Sequence, residues 1–456
     1  MPFMHRVELD PEQNVVRYNS RHLARTVEAN IERTGRMPVM FGHQAKQGIV
    51  AILRRFHEII ICKPAISDPS AQMVGVTASP NYPGTSHQRS LVAKTDLNML
   101  QQVDPDTLEP LKLFQYSQWD SALKGVISAA HHQYDPDTNE SFNFTLDLAS
   151  GAMTVFSLQD QHSTTLATIT RRQAPAPSHK IMPSYIHSFW ITTNYVILPE
   201  SPVYYDPVRL LVTGSALTAL QWREGPTYLH IISRRPDLGH VATVLVSPFF
   251  TFHTGNAYEQ DDKLVLDCCA FQDATILYQL HTFGQPEPKR KHPQDQTWPL
   301  RQASFGHYQR HVIQKSDWRL ISSEVLARNI EFVRYAQRDA LKPYRYAWAC
   351  QLWPATADAP ESYSLVKIDI QSGNLTTYQP PGYACSEPIF FPRPGATNAD
   401  DGIIVALANL QEGRCKLIVL DASIMIELAQ AELGRFCATT FHGSLVDIKY
   451  RNISVN

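Results

Sequence analysis

The chain has 456 residues, 43% hydrophobic and 18% charged, with a formal net charge of −2. That composition allows a sizeable core and, with its basic residues scattered, excludes an electrostatic nucleic-acid binder. No run of 18 apolar residues is present, the first residues (MPFMHRVELDPE) lack the apolar stretch of a secretory signal, and seven cysteines without a Cys-x-x-Cys pair read as reduced thiols of a cytosolic protein.

In chain order, HRVELD, PEQN and VVRY predict a first hairpin, and Leu23–Arg36 predicts a helix. The amphipathic segment Gly48–Ala65 (GIVAILRRFHEIIICKPA) reads as an element docked on the core, with contact to a membrane surface as the alternative. FNFTLDL at 142–148 alternates apolar and polar, turns at Ala149-Ser150-Gly151 and returns as MTVFSL. The Pro-rich stretches 174–183 and 286–299 read as surface loops, the second carrying Lys289-Arg290-Lys291. LVLDCCAF places Cys268 and Cys269 in a core strand. The hairpin pattern recurs as SLVKIDI, QSGN, LTTY and as GIIVALANL, QEGR, CKLIVLDA, and a second helix is expected at Ser423–Glu432. Many antiparallel hairpins without separating linkers predict one domain over 1–456, a propeller or a large barrel.

Eighteen histidines occur, and four stand in distinctive settings: His131 in SAAHHQYDPDT, His187 in SYIHSFWITTNY, His253 in PFFTFHTGNAYE and His442 in TTFHGSL. Each alone is more often a core or surface residue. Spacings of 56, 66 and 189 residues let them meet only at the centre of a large fold. Neutral imidazole is the commonest metal ligand. His131 and His132 are adjacent and point to opposite faces of a strand, so only one can join such a centre.

These motifs resemble those of the carotenoid cleavage oxygenases. Ala130-His131 with Asp135-Pro136, Tyr185 through Phe189, Phe250 through Glu259, and Phe441-His442-Gly443 match the family's four histidine motifs in order, over nearly the whole chain. The resemblance implies an all-β, seven-bladed β-propeller with a helical and loop cap over the metal face. It implies one Fe(2+) per chain on His131, His187, His253 and His442, with Asp96 (where the family usually has Glu), Glu331 and Glu387 behind them. It also implies a dioxygenase that cleaves a conjugated C=C bond of a carotenoid or apocarotenoid to carbonyl products. Phe189, Trp190, Phe250, Phe252, Tyr258 and Phe441 are candidates to line an apolar tunnel, entered near residues 48–65. Lys94 is placed like the lysine of stilbene-cleaving members, so a stilbene or phenylpropene is the alternative substrate. Tyr82 or Tyr258 would then replace the family's tyrosine. A non-catalytic propeller binding apolar ligands is the alternative of another class. Nothing favours an isomerohydrolase. Family members carry several tens of residues ahead of the segment resembling Phe3-Met4-His5-Arg6, so the usual N-terminal segment is expected to be lacking. Val333 (for Pro) and Ala399 are smaller departures.

Overall fold

The computed structural model describes residues 1–41, 48–57, 66–85, 89–282, 306–353, 362–379, 384–410, 413–436, 438, 442–444 and 446. Short strands bounded by turn residues assemble into six four-stranded antiparallel sheets, each a meander in chain order. The first blade holds Thr77–Pro80, Leu91–Lys94, Leu100–Val103 and Pro110–Phe114, and the second Gln133–Asp135, Glu140–Leu146, Met153–Gln159 and His162–Ile169. The third holds Trp190–Ile191, Tyr195–Glu200, Thr227–Ser233 and His240–Val246, and the fourth Phe250–Gln260, Lys263–Phe271, His307–Gln314 and Arg319–Ala327. The fifth holds Ile330–Arg334, Tyr346–Trp353, Ser362–Asp369 and Leu375–Tyr378, and the sixth Ile389–Pro392, Gly402–Leu410, Arg414–Asp421 and Glu427–Gly434.

Local chemistry explains the turns. Between Glu140–Leu146 and Met153–Gln159 the Asp147 carboxylate accepts from the amides of Ala149 (2.8 Å) and Ser150 (2.9 Å), and Gly151 takes φ +74°. All four hairpins read from the sequence form. The helix expected near the N-terminus spans Arg25–Thr34 and stops at left-handed Gly35. The helix expected at Ser423–Glu432 is instead a turn and the strand Glu427–Gly434, paired with Arg414–Asp421. Asp421 caps the amides of Ser423 and Ile424, and Met425 adopts φ +57°, which no α-helix accommodates. Pairing across the sheet overrides the helical spacing.

The fold is an all-β propeller, but the expected seven blades are not met: six four-stranded sheets are present among the described residues. The place between the sixth and first blades is held by the two-stranded hairpin Phe3–Asp10/Val15–His22. On one side Phe436, just past the sixth blade, stacks on His5 (5.7 Å) and Tyr18 (5.0 Å). On the other, Asn19 and Arg21 donate to the carbonyls of Asp106 and Thr107 in the first blade, both at 2.8 Å. This sheet pairs only with itself among the described residues.

Helices come from Ile49–Phe56 and from insertions in the third and fourth blades: Pro207–Thr213, Ala216–Ala219 and Thr275–Thr282. Asp206 caps the first of the insertion helices by accepting from Arg209 N, with Pro207 at its first position. Arg55 donates to the C-terminal carbonyls Leu211 and Val212 of that helix. The tether turns the apolar side of Ile49–Phe56 outward: Ile49, Val50 and Leu53 are 78%, 71% and 63% exposed. Docking of this segment on the core is therefore not what Ile49–Phe56 does; residues 58–65 lie outside the described residues. Leu217, Leu220, Ala274 and Leu277 share one core cluster with Tyr185, Phe250 and Phe252, so Ala216–Ala219 and Thr275–Thr282 sit against the aromatic wall described below. No described helix is long and apolar enough to cross a membrane.

Candidate metal centre

Each blade contributes one residue, in blades two to six from the first strand or the turn just before it and in the first blade from the turn after its second strand. Asp96 follows the first blade's second strand, and His131 precedes Gln133–Asp135 of the second. His187 precedes Trp190–Ile191, and His253 lies within Phe250–Gln260. Glu331 lies within Ile330–Arg334, and Glu387 precedes Ile389–Pro392. His442 follows the sixth blade. The four imidazoles converge, with one nitrogen of each within 4.8 Å of the others. His132 turns away, its Nε2 lying 2.8 Å from the Tyr116 hydroxyl.

Bulges aim two of these groups. The register of Phe250–Gln260 against Lys263–Phe271 shifts on both sides of Thr254, beside His253. The register of Ile330–Arg334 shifts between Glu331 and Arg334, and within it Phe332 takes φ +57°, a conformation costing about 1 kcal/mol or more for a non-glycine residue. The strained residue lays its ring 5.1 Å from His253 and 5.7 Å from His442.

Three carboxylates fix the imidazoles. His187 Nδ1 is 2.8 Å from Asp96 Oδ1, His253 Nδ1 meets Glu331 Oε2, and His442 Nδ1 is 3.4 Å from Glu387 Oε1. Asp96 reaches its histidine despite the methylene it lacks relative to Glu. An Nδ1–H donated outward leaves the Nε2 lone pair facing inward. His131 Nε2 and His253 Nε2 each lie 3.1 Å from His442 Nε2. His253 and His442 both carry a carboxylate on Nδ1, so their Nε2 lone pairs face one another, and at this distance they repel unless a cation lies between them. Two imidazole nitrogens each about 2.1 Å from one ion, at right angles, stand about 3.0 Å apart. The donor set and its spacing therefore fit a divalent metal ion. Burial, and after it the neighbouring imidazoles, pushes His131 well below the usual histidine range. Burial holds His442 at about 3 against the raising pull of Glu387, so both stay neutral and able to bind a metal.

Two supporting residues escape a reading of the sequence for metal ligands. Tyr185, two residues before His187, donates to Asp96 Oδ2 (3.2 Å), and its oxygen is 3.1 Å from His187 Nδ1. Its place in the Tyr-x-His motif was the available signal. Arg334 donates to Glu387 Oε2 at 2.7 Å, and nothing in its sequence context marks it. Burial pulls the Glu387 carboxyl up, but Arg334 and His442 outweigh it and hold it at about 2.

The aromatic candidates divide. Phe252 packs 5.5 Å from His187, with Phe250 and Phe271 behind it. Phe189 and Trp190 are buried in the core instead, Phe189 against Phe144 and Trp190 donating to the Asp267 carbonyl. Tyr258 lies in a separate cluster with Tyr308 and Tyr344. Phe441 lies outside the described residues. Lys94 is buried, donates to Ser79 Oγ at 2.8 Å, and is held down to about 7 by burial and then by Arg334. Tyr82 packs on His132. Cys268 and Cys269 are buried thiols in Lys263–Phe271, away from the centre's donor set.

Residues 1–447 match the family model described as retinal pigment epithelial membrane protein. Among curated proteins, the chain is 29% identical over 352 residues to carotenoid cleavage dioxygenase 8 homolog B, chloroplastic, of Oryza sativa subsp. japonica, covering 73% of this chain and 57% of that protein. It is 27% identical over 417 residues to a carotenoid dioxygenase of Neurospora crassa (84% and 65%). It is 25% identical over 393 residues to β,β-carotene 15,15'-dioxygenase of Mus musculus (78% and 68%). The chain thus spans 57% to 65% of the length of the first of these relatives. Its fold matches a cobalt-substituted apocarotenoid oxygenase of Synechocystis at a TM-score of 0.72 and 20% identity, covering 97% of this chain and 86% of that one.

Proposed function

We propose, from the premise that this chain belongs to the retinal pigment epithelial membrane protein and carotenoid cleavage oxygenase family, that it is a non-haem iron(II) dioxygenase cleaving a conjugated C=C bond of a carotenoid or apocarotenoid. The observation that carries the reading is the convergence of four imidazole nitrogens within 4.8 Å of one another, three of them on rings backed by a carboxylate on Nδ1. A ferrous ion, one per chain on His131, His187, His253 and His442, would supply the activation of dioxygen that turns one double bond into two carbonyls. The rest of the task falls to the chain. Asp96, Glu331 and Glu387 hold three imidazoles in the tautomer that binds. No carboxylate enters the ligand set, so the ferrous charge is not reduced by an anionic ligand, unlike in a two-histidine, one-carboxylate site. Phe252 and its aromatic neighbours give an apolar, water-poor wall on which a polyene can be positioned by shape. A relic propeller has no reason to keep lone pairs in mutual opposition.

Anaerobic purification after ferrous supply, with iron counted per chain and a carotenoid screen read by carbonyl products, tests this. About one iron and aldehyde or ketone products are expected; a folded chain without iron rejects the reading.

A phenolic, stilbene-like substrate is the second reading, favoured by Lys94, which is buried beside His131 and His132 rather than on the surface. Lys94→Ala is then expected to lower turnover of a phenolic substrate about tenfold while leaving a hydrocarbon carotenoid within about threefold, the loss of one hydrogen bond to the hydroxyl. Equal loss on both removes the lysine from hydroxyl recognition.

The outward Ile49, Val50, Leu53 and Phe56 form an apolar face on a helix tethered through Arg55 to Pro207–Thr213, on which Val208 is also exposed. It suits peripheral contact with a membrane that holds the substrate. Leu53→Glu is expected to weaken co-flotation with phosphatidylcholine vesicles several-fold, and unchanged flotation discards this contact. Cys268, Cys269, Cys350 and Cys385 are free thiols, which supports a reducing, cytoplasmic setting.

A further inference from the structure

Arg334 stands three residues beyond Glu331, across the register shift that aims that carboxylate at His253. Its guanidinium donates to Glu387 Oε2 at 2.7 Å and to the Gly443 carbonyl, and Gly443 N donates to the same Glu387 oxygen at 3.0 Å. One cation therefore grips the carboxylate behind His442 and the backbone of the next residue. Both side chains are almost fully buried, 3% and 5% exposed.

The charge of the whole cluster follows from its members. The four imidazoles are neutral as ligands. Asp96, Glu331 and Glu387 bring three negative charges and Arg334 one positive, leaving two negative charges that a divalent ion cancels. Without Arg334 three remain, and a trivalent ion cancels those. In a buried, weakly screened region each uncompensated charge acts strongly on the others. Lys94 faces the same cluster, but burial and then Arg334 hold its amine at about 7, so it is largely neutral above that pH and gives no fixed charge.

We propose that Arg334 is a positioning residue that fixes the charge of the metal centre, cancelling the third carboxylate so that bound iron is held in the ferrous state. The inference rests on the metal reading above. The oxidation it opposes is loss of one electron from the bound ion to dioxygen, which becomes superoxide, with no protein bond or proton changed.

The test compares full-length, iron-loaded wild type, Arg334→Gln, Arg334→Lys and the double variant Arg334→Gln/Glu387→Gln. Iron per chain and the one-electron midpoint potential are measured at a single pH. Arg334→Gln is expected to move the equilibrium at least tenfold toward ferric, about 59 mV more negative for one electron. Arg334→Lys, which keeps the charge, should stay within about threefold of wild type. The double variant, neutral again, should return to within about threefold as well. An iron-loaded Arg334→Gln with an unmoved potential overturns the proposal. So does a double variant shifted as far as the single one, because a purely geometric role predicts that result. If Arg334→Gln takes up no iron, Glu387→Gln decides: it should shift tenfold toward ferrous, and no shift or the opposite sign overturns the idea. Wild type without iron would instead be failure of the metal reading itself.

Discussion

His253 and His442 end within 3.1 Å of each other, yet they are held by different means. His253 is part of an eleven-residue strand laddered to Lys263–Phe271, and its carboxylate partner Glu331 also lies in a strand. His442 belongs to no described strand. It is held through side chains: Glu387 at 3.4 Å, Arg334 on the next carbonyl, and Ser444 Oγ donating to the Ala78 carbonyl of the first blade. Ladder pairing at Thr251 and Thr254, on either side of the bulged His253, positions the first imidazole whatever the state of its partner. The second depends on a buried ion pair, so disturbing that pair should move His442 and leave His253 in place.

The largest effect expected is for His253→Ala. Removing a strand-held ligand cannot be compensated by its neighbours, and both iron retention after desalting and cleavage activity should vanish. Retention of both would end the argument from convergence. The comparison is sharpened by the carboxylates. Glu387→Ala leaves His442 without its support and takes from buried Arg334 its carboxylate counter-charge, at a cost of about 3–5 kcal/mol in stability. Its cobalt(II) affinity should fall towards the upper end of the roughly 10–100-fold loss typical of such partners. Asp96→Ala leaves His187 Nδ1 with the Tyr185 oxygen at 3.1 Å, so it should sit at the lower end. Reversal of that order, in a cobalt titration, would mean that the ion pair does not hold His442.

A smaller effect is expected from pH on the metal-free chain. Burial keeps folded His442 at about 3, while an unfolded histidine takes up a proton near 6.5. His131 is depressed in the same direction. The unfolded chain therefore binds more protons than the folded one between these values, and stability falls as pH falls through about 6.5. Glu387, held at about 2, begins to lose its own contribution only below the ordinary glutamate range. The melting temperature without metal should drop from pH 7.5 to pH 5. A flat profile would mean that His442 is solvated and its segment detached.

The histidine motifs carried the centre in the sequence because each is a local string; alternation admits only one of His131 and His132, the resemblance to the family's Ala-His motif selects His131, and Tyr116 receives the other ring. Hairpins were legible for the same local reason, through turn residues such as Asp147 and Gly151. Blade number was not, since the hairpin Phe3–Asp10/Val15–His22 becomes a partial blade only through its neighbours at Phe436 and Asp106. The strand Glu427–Gly434 read as helix because its partner, not its own spacing, decides its shape. Arg334 was invisible since its meaning lies in Glu387 and Gly443, 53 and 109 residues away. Trp190, adjacent to a motif, belongs to the core because its indole faces Asp267.

With one contribution from each successive blade and the last from His442, the seven groups are spread over the chain from Asp96 to the far side of the sixth blade. A ribosome adding about 5–20 residues per second would take roughly 20–90 s over this chain, and for nearly all of that time no complete donor set exists. Completion of the donor set must then wait for His442, and a translation product interrupted before it would carry three imidazoles and no closed site.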